Sequence, residues 1–169
     1  MNWLFMAGVL IIGDSISANP LGWANLMRND DPSIQVMAIA GRTIRDFSLP
    51  QDLVANGQIA TVVYWLGIND AFNKHPIQYV ERSMVTQLHF LMSRGFRTIV
   101  LIPPFSPVLE PYSSQVRDMF HKYCDARLNF PKLECYEVEP WVEESTLDSI
   151  HPTEDLHRDI ARWMVEEIL

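Results

Sequence analysis

The sequence predicts an α/β fold, a three-layer α/β/α sandwich built on a five-stranded parallel sheet. Short apolar runs rich in β-branched residues alternate with segments of helical periodicity, and the runs have no polar face. A strand apolar on both faces must be covered on both, which the helices of successive β-α-β crossovers provide. With 169 residues and 48% hydrophobic content the chain is large enough for a full core, and no linker or composition break divides it, so residues 1–169 are read as one domain.

The first strand is expected over Phe5–Ile12, an apolar run that leads without a break into Gly13-Asp14-Ser15. No Lys or Arg precedes the run and no small-residue cleavage site follows it, so it reads as a strand and not as a signal segment. A helix near Leu21–Arg28 comes next, then a strand over Ile34–Ile39 and a helix near Phe47–Ala55. The third strand is read over Ile59–Leu66. In the long segment Ile77–Arg94, the residues Ile77, Val80, Met84, Leu88 and Leu91 recur at helical spacing, and Gly95 ends the helix as a C-cap. Thr98–Ile102 forms the fourth strand, stopped by Pro103-Pro104. A helix over Tyr112–Leu128 and a weaker strand over Leu133–Val138 follow. The last helix, Thr153–Ile168, carries Leu156, Ile160, Met164 and Ile168 four apart, with Pro152 at its start.

Composition excludes several classes of partner. The 13 basic against 21 acidic residues give a net charge of -8, which repels phosphate backbones and anionic lipid surfaces, so nucleic acid is not an expected partner. No stretch reaches the roughly 20 apolar residues of a membrane span. These features favour a soluble, cytoplasmic protein. Cys124 and Cys135 match no metal spacing and read first as small buried hydrophobes, with a disulfide between them as the alternative.

In a parallel sheet, ligands gather outside the carboxyl ends of the strands. Ser15, Gly41 and Asn69 each follow such an end, which places them on one edge. Ser15 sits where a buried strand gives way to a helix and is the candidate nucleophile. A serine hydroxyl needs a base to take its proton during attack, and a neutral imidazole suits that task; His151 is the candidate. Asp148, three residues earlier, is placed to orient that ring. Attack on an ester carbonyl builds negative charge on oxygen. The N–H of Ser15, the N–H of Gly41 and the side-chain amide of Asn69 are the candidate donors for it.

Each of these residues alone has an ordinary explanation, as a turn, a cap or loop chemistry. It is their joint occurrence, in order and on one edge, that points to catalysis. Phe105, Val108 and Leu109, in the proline-rich loop after the fourth strand, are expected on the same side as one wall of an acyl pocket. Arg42 and Arg45 are expected either to touch a polar substrate near Gly41 or to pair with carboxylates. Glu134, Glu137, Glu139, Glu143 and Glu144 read as a solvated acidic stretch. His75, His89, His121 and His157 have no companions at metal spacing and stay outside the site; His89 and His157, within amphipathic helices, are expected at surface or half-buried positions. Trp23, Phe72, Phe105 and Trp141 are candidates to line a pocket or a partner surface, with the core as the default for apolar side chains.

Four blocks of the chain carry a family resemblance: Gly13-Asp14-Ser15, Gly41 within Ala40-Gly41-Arg42-Thr43, Gly67-Ile68-Asn69-Asp70, and Asp148-Ser149-Ile150-His151. In kind and order they resemble the motifs of the SGNH (GDSL-type) hydrolase superfamily of esterases, lipases and carbohydrate deacetylases. The resemblance spans the chain and implies a flavodoxin-like SGNH hydrolase fold. It further implies a triad of Ser15, Asp148 and His151 with an oxyanion hole from Ser15, Gly41 and Asn69. Ser149 stands where many members carry glycine. The expected activity is hydrolysis of small or medium acyl esters through an acyl-enzyme, with a small-molecule ester as substrate, no cofactor and no metal. Carbohydrate O-deacetylation or thioester hydrolysis would use the same residues. A catalytically silent carbohydrate- or lipid-binding module is the reading from another class.

Overall fold

A computed structural model of the chain describes residues 8–49, 59–126, 131–138, 148 and 150–169. Its centre is a five-stranded, all-parallel sheet in the order β2-β1-β3-β4-β5. The strands are β1 (Gly8–Gly13), β2 (Gln35–Ala38), β3 (Ile59–Trp65), β4 (Arg97–Ile102) and β5 (Leu133–Glu137). Residues 1–7, part of the predicted first strand, lie outside the described residues.

Six helices accompany the sheet among the described residues: α1 (Ser15–Ala18), α2 (Trp23–Asp30), α3 (Ile68–Phe72), α4 (Ile77–Ser93), α5 (Tyr112–Asp125) and α6 (Glu154–Trp163). The two-residue period of the strands decides which face each side chain serves. Leu10, Ile12, Val62, Tyr64, Val100 and Ile102 pack beneath α4 and α5, against Val80, Met84, Leu88, Val116 and Phe120. Ile11, Val63, Trp65, Ile99 and Leu101 face the other way, onto Trp23 and Met27 of α2 and Leu156 and Ile160 of α6. Ile11, Ile12, Val62 and Val63 are fully buried, and each contributes about 1.5–3 kcal/mol relative to exposure.

β1 pairs with β2 on one side and β3 on the other. The chain passes from β1 to β2 over the α2 face and then returns to β3, so the strand order reverses between β1 and β3. A crevice opens at such a reversal, outside the carboxyl ends of the strands.

Three expectations change. Phe47, Ser48 and Leu49 are not helical, and the rest of the helix expected over Phe47–Ala55 lies outside the described residues. Gln87 of α4 explains the first part, because its Nε2 donates to the carbonyls of Ile44 and Phe47 at 2.8 and 2.9 Å and holds that segment, which turns over 44–46, out of a helix. Cys124 and Cys135, read first as separate buried hydrophobes, are joined in a disulfide that ties α5 to β5. Phe72, taken as core, is 62% exposed at the end of α3. Trp141, also taken as core, lies outside the described residues, whereas Trp23 is fully buried against Trp65.

Candidate active site

β1 ends at Gly13, and the chain turns at once into α1. A Cβ on Gly13 would sit 2.3 Å from the Ser17 hydroxyl oxygen, so only glycine lets α1 fold back this closely on the strand. Asp14 caps the helix, its carboxylate accepting from the N–H of Ile16 at 3.1 Å. Ser15 is thereby the first residue of α1, half-buried at the strand end. Burial pushes the Asp14 carboxyl up to about 7, against the lowering effect of its bond to Ile16 and of His151 nearby.

The loop before α6 brings His151 to this point. Ser15 Oγ lies 2.9 Å from His151 Nε2, and His151 Nδ1 lies 2.7 Å from Asp148 Oδ2. The other oxygen of Asp148 accepts from the backbone N–H groups of Ile150 and His151 at 3.1 and 2.7 Å. Those bonds and the imidazole hold the Asp148 carboxyl below its ordinary value, so it is an anion at neutral pH. An anion facing Nδ1 keeps the proton there and leaves Nε2 free to accept from Ser15. The ring is 41% exposed and the Asp148 side chain 53%, so this pair is open to solvent.

Gly41 and Asn69 stand on the loops after β2 and β3. Gly41 adopts φ +78° with no atom within 4 Å of where a Cβ would be, so backbone conformation alone demands glycine and open space faces its Cα. Asn69 donates from Nδ2 to the carbonyl of Arg42 at 3.1 Å. An amide nitrogen carries two hydrogens, so this bond fixes the side chain and leaves one hydrogen available.

Several polar residues left out of the site are engaged around it. Asp70, next to Asn69, is buried, with Oδ2 accepting from Ile44 N at 2.7 Å and Oδ1 from Arg45 N at 3.2 Å. His75 Nδ1 lies 3.1 Å from the same Oδ1. Burial raises the Asp70 carboxyl, and these donors oppose the rise. His157, expected at a surface or half-buried position, is 1% exposed, and its Nδ1 accepts from Trp23 N at 3.3 Å. Burial lowers its imidazole to about 4, which makes it a neutral packing group distinct from the exposed His151. Only the short distance of Asp70 from Asn69 in sequence could have marked it; nothing local marks His75 or His157.

Arg45 makes a loose ion pair with Asp46 at 3.9 Å. Among the described residues no carboxylate is in contact with Arg42: its guanidinium donates to the Met37 carbonyl at 2.6 Å and lies over the Phe47 ring. In the acidic stretch, Glu134 pairs with Arg97, and Glu137 with Arg117 and His121; Glu139, Glu143 and Glu144 lie outside the described residues. Among the described residues no group of three His, Cys, Asp or Glu is placed to hold a metal. No described helix is long and apolar enough to cross a membrane.

The five-stranded parallel sheet sandwiched by helices matches the fold of solved SGNH-type hydrolase structures. Solved structures align over nearly the whole chain. A psychrotrophic esterase, EstA from a Pseudoalteromonas species, is 18% identical with a TM-score of 0.72, covering 96% of this chain and 97% of its own. An acetyl xylan esterase, AlAXEase, is 16% identical with a TM-score of 0.74, covering 95% and 100%. A member of the lipolytic G-D-S-L family from Veillonella parvula is 14% identical with a TM-score of 0.69, covering 95% and 97%. No protein-family model and no curated protein matches the chain by sequence.

Proposed function

We propose that the protein is a serine-dependent carboxylic ester hydrolase acting on small or medium acyl esters. The observation that carries this reading is the chain of contacts from Ser15 Oγ through the His151 ring to Asp148. In the reaction, Ser15 Oγ attacks the ester carbonyl carbon while its proton passes to His151 Nε2. The negative charge on the carbonyl oxygen is met by the N–H of Ser15, the N–H of Gly41 and the free amide hydrogen of Asn69. Collapse of that adduct breaks the bond to the alcohol, which leaves with the proton from His151. A water molecule then gives its proton to His151 and attacks the acyl-serine. The acid is released and Ser15 regains its hydrogen.

The apolar side chains of Leu21, Ile39, Phe72 and Val108 are exposed in segments that follow the strands' carboxyl ends, and they supply a surface for an acyl group. A second reading, carbohydrate O-deacetylation, draws on the exposure of His151 and Asp148. An open site accepts a bulky alcohol, and one structural neighbour is an acetyl xylan esterase. Rates on acetylated xylo-oligosaccharides against para-nitrophenyl esters of rising chain length separate the two.

The first test is labelling by a fluorophosphonate, followed by intact-mass analysis and peptide mapping. EstA, the neighbouring esterase, has been seen inhibited by monoethylphosphonate. A single adduct on Ser15, absent in Ser15→Ala and strongly slowed in His151→Ala, is the expected result. Folded protein that takes up no label and hydrolyses no ester would overturn the proposal in favour of a silent binding module.

A further inference from the structure

We propose that Asp70 and His75 are positioning residues that set the geometry of the oxyanion site by gripping the loop that carries Gly41. The inference rests on the esterase reading and adds a role for two residues outside the triad and the oxyanion donors.

The loop from Gly41 to Arg45 is held from one short stretch of chain. Asn69 takes the carbonyl of Arg42, and the next residue, Asp70, takes the N–H groups of Ile44 and Arg45. The two grips lie on either side of Thr43, so the loop cannot slide past the β3 end without breaking both. The Asp70 side chain is fully buried, where an ionised carboxylate is tolerated only if its oxygens are met by donors. Two of its donors are the loop's own N–H groups, so satisfying the charge and placing the loop are one event.

His75 supplies the third donor. Lys74 adopts φ +54°, a left-handed turn that swings the chain back after α3. The backbone N–H of His75 then donates to the Asp70 carbonyl at 3.0 Å while its ring meets Oδ1 at 3.1 Å. A carboxylate facing Nδ1 keeps the proton on that nitrogen. With Oδ1 shared between Arg45 and His75, and Oδ2 given to Ile44, the carboxylate is confined to one orientation. Oxyanion donors lose their effect when displaced by a fraction of an ångström, so the orientation of this buried carboxylate reaches the reaction through Gly41. Gln87 grips the same loop independently, at Ile44 and Phe47, so the loop stays attached when Asp70 is altered.

Steady-state hydrolysis of para-nitrophenyl acetate by the full chain tests this. Asp70→Asn sets an amide N–H₂ among N–H donors and should lower kcat by roughly 10²-fold, with KM within about threefold. His75→Ala should lower kcat by about tenfold, and His75→Asn, which keeps a donor at the Nδ1 position, should restore most of it. Since His75 acts through Asp70, the double variant Asp70→Asn/His75→Ala should be no slower than Asp70→Asn alone. Leu91→Ala, which loosens the core at the far end of α4, serves as the stability control and should keep its kcat below its melting temperature. Folded Asp70→Asn with unchanged kcat, or additive losses in the double variant, would overturn the positioning role. Hydrolysis that persists in Ser15→Ala would instead overturn the assignment of Ser15 as nucleophile, and wild-type protein that hydrolyses no ester would overturn the esterase reading, so these failures are distinct from that of the positioning role.

Discussion

Asn69 commits one amide hydrogen to the Arg42 carbonyl, and in the proposed reaction the other meets the substrate oxygen. Asn69→Ala should therefore lower kcat by roughly 10²–10³-fold while KM changes little, since the lost interaction forms only as charge develops. A KM effect with kcat unchanged would place Asn69 in ground-state binding instead. The contacts that join Ser15, His151 and Asp148 follow from positions the sequence marks, a strand end and the approach to a helix start, where a linear pattern reports position. Asp70 and His75 are not so marked. Their significance depends on a loop some 25 residues away in sequence turning its N–H groups toward one carboxylate. His157 misled for a related reason: it lies in an amphipathic helix, yet it faces the buried Trp23 N–H.

The strands and the long helices followed from periodicity, and departures came where a tertiary contact outweighed it. A helix is expected to begin at Phe47, but the two hydrogen bonds from Gln87 and the bonds between Thr43 and Asp46 commit the chain to a turn over 44–46 followed by non-helical backbone. The pairing of Cys124 with Cys135 needed the register of β5 beside α5, which spacing alone does not contain. That disulfide closes a loop with a sequence separation of 11 residues, worth about 3 kcal/mol through the unfolded chain. Reduction, or Cys124→Ser with Cys135→Ser, should lower the melting temperature by on the order of 10 °C. Thiol titration of the denatured, unreduced protein should find neither cysteine free.

Stability should respond to pH through two buried groups of opposite sign. The folded Asp14 carboxyl holds its proton to about 7 against an ordinary 3.8, so the folded state binds more protons between these values and stability falls as pH rises across them. Folded His157 stays neutral down to about 4 against an ordinary 6.5; the unfolded state binds more protons there, and stability rises with pH across that window. From about 4 to 6.5 the two effects offset. Asp14→Asn, which keeps a capping oxygen, should expose the rising arm of His157 as an increase in urea midpoint from pH 4 to 6.5. An unchanged profile would mean that Asp14 is ionised throughout. The Ser15–His151 contact spans 136 residues, close to the whole distance from the first strand to the last helix. During synthesis Ser15 emerges before four of the five strands, and His151 after all of them. The contact between the two therefore forms only when α6 docks over β1, so it times the completion of the sheet's folding.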